Sequence, residues 1–330
     1  MTSTLVRKHR PRQGDAPSTE AQARAARDWA EIQERMLVPL YEAVYDRVEV
    51  GPGARLLGLG CGSGLALLLA ARRGAAVTGV DGGPPERLAL ARERLLGERA
   101  PRTTVPGTVG AASPDHGAPS SRVARPTPGV PECAPSPDAE SPRLLEGGPA
   151  DAAGTSAPPY TVVTAFQPAG ATAGDYEELT GLLASAVPLT ARGGNVVLAG
   201  WGPPERCAAS AVLRVATRLT DADASLPFGP GELGAGRGWR PERRDDLEAL
   251  AFRVGLRLEG SGRVACPFGY ADGDSAVRGL LSTGLFDAAV EATDSGQVRK
   301  ELREALHPYT RLDGTVWMPN VFRYVIATRP

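Results

Sequence analysis

The chain has 330 residues, a formal charge of −1, and 42% hydrophobic and 23% charged residues, enough for a full core and ordinary for a globular protein. A balance so near neutrality argues against electrostatic capture of nucleic acid or an anionic membrane, and no window reaches the ~18 apolar residues of a membrane span. Forty glycines and thirty prolines are many, and every basic residue except Lys8 and Lys300 is arginine, a coding bias that strips single arginines of weight.

Residues 1–18 are polar, with a basic cluster at Arg7-Lys8-His9-Arg10, and read as a disordered tail. From Thr19 to about Val48, Trp29, Ile32, Met36, Leu37, Leu40, Tyr41, Val44 and Tyr45 recur at helical spacing until Gly51-Pro52-Gly53 stops them. Strands at Arg55–Leu59 and Ala76–Val80 then alternate with helices at Gly64–Arg73 and Pro84–Leu96, the signature of βαβ units and a parallel sheet. Residues 97–159 are rich in Pro, Ser, Ala and Gly and read as an insertion, with a third strand near Arg143–Glu146. The alternation resumes with strand Tyr160–Phe166, helix Gly174–Leu189, strand Asn195–Ala199 and helices at Ala208–Leu219 and Pro241–Val254. Arg257–Cys266 and Thr315–Thr328 alternate as strands on either side of helices from Ser275 to about Leu306. Two late strands after an α/β run suggest an antiparallel edge on a parallel sheet. The expected fold is thus α/β, doubly wound around a mostly parallel seven-stranded sheet. It would span 19–330 as one domain, with lid segments drawn from 201–310.

The informative stretch is Leu56-Leu57-Gly58-Leu59-Gly60-Cys61-Gly62-Ser63-Gly64. A strand enters glycines at 60, 62 and 64, whose backbone N–H groups can approach a ligand with no Cβ in the way. Asp81 ends the next strand, spaced to accept both hydroxyl hydrogens of a ribose. A dinucleotide fingerprint wants its third glycine at position 65, where this chain has Leu65, and no Tyr-x-x-x-Lys pair is present. A nicotinamide oxidoreductase is therefore the weakest alternative.

On these residues the chain resembles the class I S-adenosylmethionine (SAM)-dependent methyltransferases, closest to their ubiquinone/menaquinone-type small-molecule branch. The resemblance is carried by Leu56–Gly64, by Val77–Asp81, by Tyr160–Phe166 and by the turn Arg192-Gly193-Gly194-Asn195-Val196-Val197. It implies SAM as cofactor. Gly60, Cys61, Gly62 and Gly64 would line its methionine and ribose, Asp81 with Gly82 beside it would hold the ribose hydroxyls, Phe166 and Gln167 would flank the methyl group, and Trp29 would sit in a lid. Two departures stand out. The carboxylate usual two residues before the first motif glycine is Gly58, and the acid expected after the third strand falls at Gly148-Pro149.

Methyl transfer requires no metal, and Cys61, Cys133, Cys207 and Cys266 lack the spacing of a zinc site or disulfide framework, which suggests reduced thiols in a cytoplasm. His307 is the single catalytic candidate, a lone histidine before a proline. Apolar loops at Trp201-Gly202-Pro203-Pro204, Pro227-Phe228-Gly229-Pro230 and Pro267-Phe268-Gly269-Tyr270 hint at a pocket for an apolar small molecule. The expected function is O-, N- or C-methylation of such a metabolite, in secondary metabolism. The alternative is a methyltransferase fold without methyl transfer, as a binding or regulatory partner or a non-methylating enzyme such as a cyclase.

Overall fold

The computed structural model describes residues 19–97, 141–153, 158–169, 175–221 and 245–330. The expected tail at 1–18, most of the insertion and the Pro227–Pro230 loop lie outside the described residues. The amino-terminal helical stretch is segmented: α1 (Thr19–Asp28), a π-turn (Trp29–Gln33), a 3-10 turn (Glu34–Leu37) and α2 (Val38–Arg47). Pro39, in the first turn of α2, has no N–H for the carbonyl of Arg35, which accounts for the break between the 3-10 turn and α2.

The strands expected at the start of the chain are present as β1 (Arg55–Leu59) and β2 (Ala76–Asp81), separated by α3 (Leu65–Arg72) and followed by α4 (Pro85–Gly97). β3 (Arg143–Glu146), β4 (Tyr160–Ala169), α5 (Asp175–Ala186), β5 (Thr190–Trp201), α6 (Ala209–Asp221) and α7 (Asp246–Arg253) follow. The last part comprises β6 (Arg257–Ala265), β7 (Phe268–Tyr270), α8 (Gly273–Leu281), α9 (Asp287–Ala292), α10 (Ser295–Leu306), β8 (Val316–Met318) and β9 (Val321–Thr328).

Seven strands form one sheet in the order β3-β2-β1-β4-β5-β9-β6, with β1 to β5 parallel and β9 antiparallel to both neighbours. The doubly wound, mostly parallel sheet of the sequence reading is therefore the observed architecture. The two late strands form the expected antiparallel edge, β9 against β5 and β6 against β9. One detail differs: Thr315–Thr328 is two strands, because Pro319-Asn320 interrupts it. Asn320 is 1% exposed and turns its side chain to other work, accepting the Ala209 N–H at 2.9 Å and donating to the Met318 carbonyl. β8 leaves the main sheet and pairs with β7 in a two-stranded sheet.

Both faces of the central strands are covered, so β1 and β2 are buried almost throughout. Successive residues serve opposite faces: Leu56 packs with Tyr45, Leu67 and Phe166, Leu57 with Val163, Leu183 and Leu250. The strand order reverses between β1 and β4. Ligands of such sheets bind beyond the carboxyl ends of the strands at that switch, and the glycine loop leaves β1 there. Among the described residues no helix is long and apolar enough to cross a membrane.

Candidate functional site

The loop from β1 to α3 is built on positive φ angles, 56° at Gly62 and 77° at Gly64, which side-chain-bearing residues rarely adopt. Close approach adds a second constraint. A Cβ on Gly64 would lie 2.9 Å from that of Ala91 on α4, and one on Gly62 would lie 3.2 Å from the Trp29 indole nitrogen.

Asp81, at the end of β2, is buried and fixes the loop. Its Oδ2 accepts the Gly62 N–H at 2.6 Å and its Oδ1 the Gly83 N–H at 2.7 Å. Each oxygen keeps a second acceptor site, so the carboxylate fits a nucleoside's two vicinal hydroxyls while it holds the backbone. Gly82 lies between the two held residues and is exposed.

The segment Trp29–Leu37 covers this loop. Trp29 packs against Gly62 with its indole N–H buried and unpaired among the described residues. Arg87 of α4 stacks on the Trp29 ring with its guanidinium carbon 4.9 Å from the centroid, and donates to the Ser282 carbonyl at 2.6 Å. It thereby ties lid, α4 and the end of α8 together. Burial lowers the Arg87 pKa, while Asp81, Glu34 and Asp287 pull it back up.

Sequence reasoning missed Glu34. Its carboxylate is buried against the loop, accepting from the Ser63 hydroxyl, from Arg94 at 2.8 Å and from the Leu65 N–H at 3.4 Å. Burial raises its pKa, and the hydrogen bonds from Ser63 and Arg94 oppose the rise. One signal was available: Ala30 four residues before and Leu37 three after are buried, so Glu34 stands on the apolar face of its helical stretch. The missing carboxylate at position 58 also has a packing reason. A Cβ on Gly58 would be 2.9 Å from Leu67 Cδ2, and its cross-strand partner Gly79 faces the same leucine.

Two cavities adjoin the loop. The smaller, about 30 Å³, lies between Glu34, Tyr41, Gly58–Gly62 and Phe166, room for a single water. Phe166 packs against Tyr41 with the rings tilted at 53° and their centroids 4.8 Å apart, and Gln167 follows it in β4. Cys61 lines the smaller cavity, but burial first, then Asp81 and Glu34, push its thiol up to about 12, so it is neutral at ordinary pH. The larger cavity, about 200 Å³, is walled by Leu213, Leu280, Leu285 and the trio Trp201, Phe268 and Phe322, and reaches Gly60, Trp29 and Gln33. Trp201 and Phe322 have centroids 4.6 Å apart. Two apolar loops of the sequence reading thus contribute to one wall.

His307 is not brought to this place. It opens the 3-10 turn after α10, is exposed, and lines neither cavity.

No family model matches the chain, and no curated protein matches it. Solved structures resemble it at low identity. The YcgJ protein of Bacillus subtilis is 12% identical, with a TM-score of 0.46 over 88% of this chain and 97% of that one. The [4+2]-cyclase SpnF is 12% identical, with a TM-score of 0.45 over 88% and 80%. A SAM-dependent methyltransferase from Thiobacillus denitrificans, solved with S-adenosylhomocysteine, is 17% identical, with a TM-score of 0.44 over 94% and 99%. The sheet itself, with its switch between β1 and β4 and its single reversed strand next to the edge, gives this chain the Rossmann-like methyltransferase fold.

Proposed function

We propose that this chain is a SAM-dependent methyltransferase acting on a small, mostly apolar metabolite, at O, N or C, in the cytoplasm and in secondary metabolism. One observation carries the reading: Gly60 of the loop held by Asp81 is also in the wall of the 200 Å³ apolar cavity. Whatever the loop binds therefore faces whatever the cavity holds.

SAM would supply a methyl group already activated on a sulfonium. The Gly60–Gly64 backbone, Cys61 included, would cradle its amino-acid end, and Asp81 with Gly82 beside it would take the ribose hydroxyls. Phe166 and Gln167 would border the methyl group, and Trp29 would cover it from the lid. Apolar walls exclude water and hold the acceptor in line, and such positioning contributes ~7–11 kcal/mol. Glu178, at the exposed rim, is the only titratable side chain among the described residues of the larger cavity. An acceptor that needs no buried base suits that wall.

Calorimetric titration with S-adenosylhomocysteine tests the reading. Micromolar binding is expected, weakened at least tenfold in Asp81→Ala, since hydrogen bonds to a charged group contribute ~1.5–3 kcal/mol. A wild-type chain that binds none at millimolar concentration sinks it. The second reading, a methyltransferase fold serving binding, regulation or a non-methylating reaction such as cyclisation, is favoured by Gly58 and Gly148-Pro149, where expected acidic contacts are absent. A methylated product from any substrate removes it.

A further inference from the structure

The wall of the larger cavity carries a donor that lacks an acceptor among the described residues. Gln33, the last residue of the π-turn, is 3% exposed and lines it. Its carboxamide oxygen accepts the Tyr270 hydroxyl at 2.9 Å, which fixes the orientation of the amide and turns its NH2 group to the donor role. No described residue accepts from that NH2 group. The indole nitrogens of Trp29 and Trp201 are sealed inside the wall, out of reach of an occupant, so they do not share this role. Thr283, the nearby hydroxyl, is already engaged, donating to the Leu280 carbonyl and accepting the Leu285 N–H. A donor that faces an apolar occupant goes unpaired at a cost in free energy, so the Gln33 NH2 group favours an occupant that brings an acceptor.

We propose that Gln33 is the specificity-determining residue of this cavity, selecting a neutral, ring-sized apolar molecule that presents an acceptor oxygen, a carbonyl or ether rather than an amine. Size agrees with this. Cavities of about 150 Å³ take benzene, so about 200 Å³ takes one substituted ring. Charge agrees too: among the described residues the inner wall has no carboxylate to meet an ammonium, because Glu178 is at the exposed rim. Tyr270 acts as a positioning residue, through Gln33. The inference deepens the reading of this face as the site of methyl transfer and names the substrate class that site accepts.

The test uses three probes of one size: acetophenone, its oxygen-free isostere cumene, and benzylamine, titrated against the full chain and followed by ligand-observed NMR. A neutral hydrogen bond of ordinary strength predicts that acetophenone binds roughly three- to tenfold more tightly than cumene, with benzylamine weakest. Gln33→Leu should abolish the preference and keep cumene binding. Gln33→Glu, which retains an acceptor for Tyr270 and loses the NH2 donor, should abolish it as well. A wild-type chain that binds neither neutral probe, or that does not distinguish them, overturns the proposal, as does a preference that survives Gln33→Glu. The S-adenosylhomocysteine titration separates the two claims. Cofactor binding without a ring preference overturns this inference alone, whereas the preference without cofactor binding upholds it and removes methyl transfer.

Discussion

At the scale of single residues, the site trades one carboxylate for another. Gly58 and Gly79 are paired across β1 and β2, and both lie under Leu67; a Cβ on Gly79 would come within 2.5 Å of that side chain. An acid at position 58 would have to displace a leucine that is 1% exposed, and overpacking of this kind costs ~1–3 kcal/mol. The carboxyl group beside the loop is instead that of Glu34, and its titration has a consequence. The folded chain holds the Glu34 proton to higher pH than the unfolded chain, because burial raises the pKa above its ordinary value of 4.5. The native state then binds more protons in the window from about 4.5 up to the raised value, so stability falls as pH rises through it. A glutamine does not titrate. Whatever the offset between the two proteins at about pH 4, the stability of Glu34→Gln relative to wild type should therefore improve as pH climbs to about 7. Urea unfolding at several pH values measures it; a flat or opposite trend means that the Arg94 pair outweighs burial.

At the scale of elements, the lid is held by a helix that approaches it through a glycine. A Cβ on Gly279 of α8 would meet Ile32 Cγ2 at 2.9 Å, the Tyr270 ring at 3.0 Å and Gln33 Oε1 at 3.2 Å. Helix propensity favours alanine over glycine by ~1 kcal/mol, while overpacking opposes it by ~1–3 kcal/mol. Gly279→Ala should thus lower the melting temperature. Gly273→Ala, in the same helix with nothing within 4 Å of its Cβ, should not lower it. Equal effects in thermal melts would mean that the lid yields freely. The same elements show what a sequence can disclose. β1 and β2 were legible, because strands buried on both faces are brief apolar runs bounded by glycines and helices, whereas β3, a half-buried edge strand of four residues, left only a faint trace. The glycine loop and Asp81 were legible because their spacing is local. The break at Pro319-Asn320 was not read, since alternation continues across it, although a proline without an N–H was the signal, and the Pro319 and Asn320 groups bond instead to Ala208, Ala209 and Cys266. Nor were Gln33 and Glu34 marked as site residues. An amphipathic stripe says which face is buried, but whether that face meets packed side chains or a cavity depends on where α8 lies.

At the scale of the whole molecule, the last strand of the chain is an interior strand of the sheet. β9 lies between β5 and β6 and pairs along its length with both. Phe322, Val325 and Ala327 are fully buried, the first on the cavity side and the others on the opposite face. Arg323 pairs with Glu248 of α7, so the strand also anchors a helix. Among the described residues β6 has no partner in the sheet besides β9, and β5 without it becomes an open edge with the apolar run Val196–Ala199, of the kind that promotes aggregation. Burying one large apolar side chain contributes ~1.5–3 kcal/mol, against a typical total stability of ~5–15 kcal/mol. The loss of several such residues together exceeds what a single core can absorb. A chain ending at Asn320 should therefore show no cooperative unfolding transition in urea and should aggregate when expressed, although it retains the glycine loop, Asp81 and the lid. A truncated chain that melts cooperatively near the wild-type midpoint would show that β1 to β5 and their helices are self-sufficient, and that the reversed strand serves the cavity wall rather than the fold.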